Sequence, residues 1–247
     1  MKLINRLLHL LTIIPILLHK RGGLKYLIHP SASISSFYII IALRKLVPEI
    51  KTLIDVGANV GQFSFSFHRF YPTANIHCFE PTPVCFTKLR ENVSNIPNIA
   101  AYNYALGSID EQITFYQNEH THASSALKVS EYQINSSPST GKYTSIEVMC
   151  HKIDSLDMTP IVSPTLLKLD VQGFEKEVIN GAQEFLNKVD YVLLETSFIP
   201  MYENEPLFEE LNTLLRSKNF KLIAPIGFLK DNDGVLSQLD LLYAKVK

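Results

Sequence analysis

Five acidic side chains and one glycine turn carry the chemistry this chain could do. In Leu53-Ile54-Asp55-Val56-Gly57-Ala58-Asn59-Val60-Gly61-Gln62-Phe63 an apolar, β-branched run from Lys51 to Val56 leads straight into a turn that opens a helix. That pattern is a buried parallel strand. In open α/β sheets, ligands sit in the crevice at the carboxyl ends of such strands. Gly57 and Gly61 let the backbone turn tightly and let a ligand approach main-chain atoms. A dinucleotide cleft calls for G-x-G-x-x-G, with the pyrophosphate on the helix N-terminus. Here Asn59 interrupts the pattern, and Asp55 sets a carboxylate before the turn. A carboxylate there repels a pyrophosphate and suits a ligand bearing an ammonium group, of which S-adenosylmethionine is one. Glu80 closes the next strand, Asn75 to Glu80. An acid about 20 residues past the turn is placed to hydrogen-bond ribose hydroxyls.

Asp170 and Glu195 end two later strands, so both can face the same crevice as the turn. Methyl transfer from a sulfonium is an in-line displacement, in which the protein chiefly positions an oxygen against the methyl group. An aliphatic hydroxyl attacks only once its proton is taken, which requires a base or a metal. Asp170 is the leading base or ligand, with helix capping as its local alternative. Glu195 stands beside it. Glu175 falls in a helical first turn, where an acid is favourable for dipole reasons alone. His120 and His122 lie in a long polar stretch beside Ser124 and Ser125, and are read as acceptor contacts more than as bases. Tyr132, Tyr143, Phe198, Met201 and Tyr202 offer aromatic or soft faces to a sugar or flat acceptor. Three carboxylates and two histidines leave a divalent metal open.

The elements that must hold these groups alternate between strand and helix from Glu49 onward. Helices are expected at 62–70, 86–95, 173–187 and 206–218. Strands are expected at 100–106, 112–116, 145–150, 165–170, 191–195, 220–224 and 239–246, the last two as an antiparallel edge pair. The insertion at about 117–144, with Asn135-Ser-Ser-Pro-Ser-Thr-Gly141 at its heart, is longer than an idle loop in a compact domain. The fold class is α/β: a doubly wound, mostly parallel sheet with an antiparallel C-terminal edge strand and a small β insertion. Residues 49–247 form the domain. Residues 1–48 form an N-terminal basic and apolar helical extension holding seven Lys and Arg and no acid, against 16 basic and 24 acidic residues after it. The overall charge of −1 supplies no field for nucleic acid. The apolar run Leu7 to Leu18, interrupted by His9 and Pro15, is too short to span a bilayer. Residues 1–25, which hold it, pack on the domain or lie on the inner membrane surface. Cys78, Cys85 and Cys150 lack zinc or redox spacing, which suits free thiols in a reducing cytoplasm.

Asp55-Val-Gly-Ala-Asn-Val-Gly61, Phe79-Glu80-Pro81, Ala105-Leu106-Gly107 and Lys168-Leu-Asp170-Val-Gln-Gly173-Phe-Glu175 occur in that order. Together with Ser124-Ser125-Ala-Leu127, Gly181-Ala182 and Leu194-Glu195 the set resembles the FkbM family of S-adenosylmethionine-dependent methyltransferases. The likeness covers about Lys51 to Glu195. It implies a class I methyltransferase (Rossmann-like) fold and methylation of a hydroxyl on a sugar, glycan or secondary metabolite. It places Asp55, Gly57, Ala58, Asn59, Gly61 and Gln62 around the methionine part of the cofactor, and Glu80 and Pro81 at the ribose. Ala105 and Leu106, in the Asn103-to-Gly107 turn, would lie near the adenine. His122, Ser124, Ser125 and Tyr202 are the expected acceptor contacts, and Asp170, Glu195 and Glu175 the expected catalytic set. The family most often shows Asp-Val-Glu-Gly where this chain has Gln172, so position 172 cannot act as a base here. Three other readings remain: nitrogen as the acceptor atom, a nicotinamide-dependent oxidoreductase, and a membrane-surface protein that kept only the fold. Oligomeric state is not legible.

Overall fold

A computed structural model of the chain describes residues 12–231 and 234–246. Seven strands form one sheet in the order β3-β2-β1-β7-β8-β10-β9. They are β1 (Thr52–Val56), β2 (Asn75–Phe79), β3 (Ile99–Tyr102), β7 (Thr165–Leu169), β8 (Tyr191–Ser197), β9 (Phe220–Lys230) and β10 (Leu236–Lys245). β1 pairs in parallel with β2 and β7, and β7 in parallel with β8. Every residue of β1 and β7 is buried, as expected for central strands covered on both faces. This is the class I methyltransferase fold.

The C-terminal strand is the antiparallel one, as its sequence suggests, but it is not the edge. β10 lies between β8 and β9, antiparallel to both, and β9 takes the outside. Leu241, Leu242 and Tyr243 of β10 are buried, whereas β9 alternates toward solvent. The more deeply buried strand therefore occupies the inner position. The expected strand at 100–106 is two strands. β3 ends at Tyr102, where the Asn103 side chain donates to the carbonyls of Glu80 (2.9 Å) and Pro81 (3.0 Å) and turns the chain away. β4 (Ala105–Leu106) then joins β5 (Glu111–Asn118) and β6 (Tyr143–His151) in a separate three-stranded sheet.

Helices cover both faces: α1 (Leu24–Leu27), α2 (Ile34–Leu46), α3 (Gln62–Phe70), α4 (Pro83–Val93), α5 (Glu131–Ser136), α6 (Glu175–Asn180) and α7 (Phe208–Ser217). The single helix expected over 173–187 is interrupted after α6. Gly181 lies against the Gly107 backbone so closely that a Cβ there would stand 1.8 Å from the Gly107 carbonyl oxygen. Gly181→Ala is therefore expected to cost about 1–3 kcal/mol through forced backbone movement, read as a lower urea midpoint. An unchanged midpoint would show that the 107–181 contact yields freely.

The boundary expected at residue 48 does not separate two packing units. A helical stretch at 12–18, α1 and α2 bury Ile16, Tyr26, Phe37, Ile40 and Leu43 in the same core as Leu53, Phe67 and Phe70. The Tyr26 hydroxyl lies 2.7 Å from Ser66 Oγ, and Ser33 caps α2 by accepting from Ser36 N. Residues 1–11 of the expected membrane-facing segment lie outside the described residues. Among the described residues no helix is long and apolar enough to cross a membrane.

Candidate active site

A cavity of about 560 Å³ opens at the carboxyl ends of β1, β2, β7 and β8. That is an ordinary volume for a small-ligand site. The 117–144 insertion folds back over it, pinned by the Ser130 amide donating to the Met201 carbonyl (2.9 Å) and by a bridge from Val129 to Tyr202. His120, His122, Ser124, Gln133 and Thr140 of this insertion line the cavity. Ser33, Ser36 and Ile39 of α2 line it as well, so the N-terminal segment helps build the site.

Gly57, Ala58, Asn59, Gln62, Glu80, Pro81, Ala105 and Leu106 line one end, as expected. Gly57 has φ +80°, and a Cβ on it would come within 1.9 Å of the Asp170 carbonyl oxygen. Only glycine lets the first and fourth central strand ends approach so closely. Glu80 is buried. One carboxylate oxygen accepts from Asn59 N (2.9 Å), the other from Thr82 N (2.9 Å) and the Thr82 hydroxyl (2.5 Å). Burial pushes the Glu80 carboxyl up, partly offset by these donors. Asn59 Oδ1 is buried without a partner among the described residues.

Two residues expected at the cofactor do not reach the cavity. The Asp55 carboxylate is fully buried, accepting from Ser64 Oγ (2.6 Å) and from Lys168 Nζ (3.0 Å). It sits level with Lys168 in the parallel β1–β7 register, so the two side chains share one face of the sheet. Asp55 thus neutralises an internal lysine instead of presenting a carboxylate to a ligand. Gly61, at φ +88°, starts α3, and its Cα hydrogens face Leu89.

The other end of the cavity is a hydrogen-bonded chain of charged and polar groups. Lys168 Nζ reaches Asp170 Oδ2 at 3.3 Å as well as Asp55. Gln172 Nε2 donates to both Asp170 Oδ1 (2.9 Å) and Glu195 Oε2 (2.8 Å), while its Oε1 accepts from the Tyr202 hydroxyl (2.8 Å). Gln172 itself adopts φ +57°, an uncommon conformation for a side chain-bearing residue. Burial alone would raise the Asp170 carboxyl, but the Lys168 ammonium and the Gln172 amide outweigh it and hold it below the ordinary range. Glu195 moves the opposite way, pushed well up by burial and then by the charges of Asp170 and Asp240. Asp240, across the antiparallel β8–β10 pair from Glu195, is raised to about 6 by burial and by Asp170. The two neighbouring carboxyls are thus driven apart, Asp170 toward the ionised form and Glu195 toward the protonated form.

Glu175 is not in this group. Its buried carboxyl accepts from the amides of Val171 (3.1 Å) and Gly173 (3.3 Å), bracing the 170–173 turn, and burial raises it to about 8. His122, Ser124 and Tyr202 line the cavity, and His122 stands 3.3–3.4 Å from the amide nitrogens of Gln62 and Asn59. Ser125 is buried outside it, donating to the Gln172 carbonyl (2.7 Å). It holds the Gln172 backbone. Tyr132, Tyr143, Phe198 and Met201 do not line the cavity.

Lys168, Asp240, Ser33 and Ser36 also line the cavity, as does Gln172, and the sequence offers none of them a role. One signal was present: a lysine centred in Thr165-Leu-Leu-Lys168-Leu169 is almost never buried without a partner. Among the described residues no three His, Cys, Asp or Glu side chains converge as metal ligands.

Residues 55–222 match the family model described as the Methyltransferase FkbM domain. The 2-O-methyltransferase NoeI of Sinorhizobium fredii is 26% identical over 204 residues, covering 76% of this chain and 80% of that protein. The 31-O-demethyl-FK506 methyltransferase FkbM of Streptomyces tacrolimicus is 24% identical over 202 residues, covering 70% and 73%. The hexuronic acid methyltransferase AglP of Haloferax volcanii is 28% identical over 149 residues, covering 60% and 56%.

Proposed function

The chain belongs to the FkbM methyltransferase family, and from that premise we propose that it moves the methyl group of S-adenosylmethionine to a hydroxyl of a sugar, glycan or small secondary metabolite. The observation that carries this reading is the Asp170–Gln172–Glu195 chain at the far end of a glycine-walled cleft. The cleft fits the donor on three counts: the close approach at Gly57, the unpartnered Asn59 oxygen, and the Glu80 carboxylate on its wall. In this reading Asn59 meets the amino-acid end, Glu80 the ribose, and Ala105 and Leu106 the adenine. When bound, S-adenosylmethionine supplies an electrophilic methyl group on a sulfonium.

Asp170 is placed to take the acceptor hydroxyl proton as that oxygen would bond to the methyl carbon and the sulfur–methyl bond would break, with the neutral thioether as leaving group. Lys168 keeps Asp170 ionised, and Gln172 aims its oxygen. Glu195, whose carboxyl is pushed upward, holds its proton more tightly than Asp170, which leaves Asp170 as the stronger candidate to accept. His120, His122, Ser124 and Tyr202 face the acceptor. The relatives named as a 2-O-methyltransferase, a hexuronic acid methyltransferase and a 31-O-demethyl-FK506 methyltransferase support the acceptor class. Three buried, unpaired cysteines support a reducing cytoplasm.

Tritium from labelled S-adenosylmethionine should enter one member of a panel of nucleotide sugars, glycans and polyketide-type alcohols. Tight donor binding with no transfer to any of them would sink the acceptor class. Glu80→Ala should weaken donor binding about 10- to 100-fold by calorimetry, the loss of charge-assisted hydrogen bonds. Unchanged affinity would remove Glu80 from the donor site.

A further inference from the structure

A second cleft, about 270 Å³, lies at the other end of α3 from the cavity, lined by Lys20, Arg21, Arg44 and Lys45 with His19 and Phe70. Gln62 at the first turn of α3 faces the catalytic cavity and Phe70 at the last faces this cleft. At about 1.5 Å per residue the two sites are roughly a helix length apart.

Four cations share this small space, and among the described residues none of them pairs with a carboxylate. Surface lysines elsewhere do find acids, as Lys152 does with Asp110 and Lys176 with Glu210. Arg21 Nη1 and Arg44 Nη1 both donate to the Phe70 carbonyl, at 3.1 and 2.8 Å, and Arg21 also to the Arg69 carbonyl at 2.6 Å. Capping the α3 C-terminus in this way is favourable by itself. It accounts for one nitrogen of each guanidinium, out of five N–H donors. It does not account for the exposed Lys20 and Lys45. His19 Nδ1 accepts from the Arg21 amide (3.1 Å), which leaves Nε2–H as a donor in the neutral ring. Burial, then the charges of Lys20 and Arg21, holds the His19 ring below its ordinary value.

We propose that this cleft binds a phosphate group, carried by a soluble phosphorylated ligand or by the headgroup of an anionic lipid. Two fixed guanidiniums and two mobile ammoniums match a polyvalent, multi-oxygen anion. A phosphate would relieve the repulsion among the four cations while Arg21 and Arg44 kept their carbonyl bonds. Leu17 and Leu18 directly precede His19 and are exposed, as is Leu24 beyond it. These apolar groups bring the lipid source within reach of the same site.

The site is independent of the acceptor reading, so its test needs no activity. Full-length protein is titrated with inorganic phosphate, followed by ³¹P line broadening. In parallel it is sedimented with phosphatidylcholine vesicles, with and without phosphatidylglycerol. Saturable phosphate binding that weakens at least tenfold in Lys20→Glu/Lys45→Glu supports the site. Both residues are exposed, so the fold should survive, which unchanged donor affinity would report. Pelleting only with phosphatidylglycerol, lost in the same variant and competed by phosphate, identifies the lipid headgroup. Phosphate binding without pelleting identifies a soluble ligand. Absence of both, or binding indifferent to the double substitution, overturns the proposal.

Discussion

Asp170→Asn is expected to lower kcat by about 10²- to 10⁴-fold while donor affinity stays within about twofold, because general-base catalysis contributes on that scale. Asn keeps the size of Asp170 and can still meet Gln172, but it cannot take a proton. The pH behaviour gives the stronger test. With Asp170 held below the ordinary carboxylate value of about 3.9, the acid limb of kcat/KM should lie below about pH 4. Gln172→Glu would set a third carboxyl between Asp170 and Glu195, in a cavity also lined by Asp240, His122, Lys168 and Tyr202 and within the field of the Glu175 and Glu205 carboxyls behind it. Like charges raise one another's pKa. The acid limb should therefore move up toward neutrality, so that activity at pH 6 falls more than activity at pH 8. A variant that lost only structure would lose activity at both values alike. Retention of more than a tenth of kcat by Asp170→Asn would transfer the base role to another group, with His122 first in line.

Lys168→Met is expected to destabilise the fold by about 3–5 kcal/mol, the usual consequence of removing one partner from a buried ion pair. Asp55 is fully buried, and Lys168 is the cation beside it at 3.0 Å. Without it the Asp55 carboxylate keeps, among the described residues, only the Ser64 hydroxyl. The double variant Asp55→Leu/Lys168→Met should recover most of the loss in urea denaturation, since a well-packed apolar pair often equals a buried ionic one. Failure of the second change to restore stability would mean that Lys168 acts mainly by packing on Phe63, 5.1 Å from its ring centre. Lys168 is raised above the ordinary lysine value. Its stabilising contribution is thus fully present below about pH 10 and is lost only above that. The raised carboxyls of Glu175 and Asp240, at about 8 and about 6, contribute most in acid and lose that contribution as the pH climbs through those values. Stability should therefore slope downward from pH 5 to pH 8, even as Asp170 remains ionised throughout.

The sequence and the structure agree where a feature is local. Gly57 and Gly61 both take φ near +85°, which their residue type allowed in advance. The Glu80 position follows from strand length, and it lines the cavity as expected. They part where a side chain has a choice of faces. In β1 every residue is buried, so no alternation of polar and apolar residues tells which way Asp55 points. Glu175 shows the same gap: an acid two residues past Gly173 can serve a pocket or a turn, and backbone amides claimed it.

By itself, then, the amino-acid sequence determined the strand–turn–helix at Asp55 to Phe63, the order of strands and helices, and the family, because hydrophobic period and glycine conformation act over a few residues. Only the tertiary structure decided that Lys168 cancels Asp55, that Gln172 joins Asp170 to Glu195, and that α2 walls the cavity. Those outcomes depend on register between strands more than 100 positions apart and on which face of a doubly covered sheet each side chain takes. Charge neutralisation in a dry interior settles them, and that requirement exists only once the chain has closed around the groups.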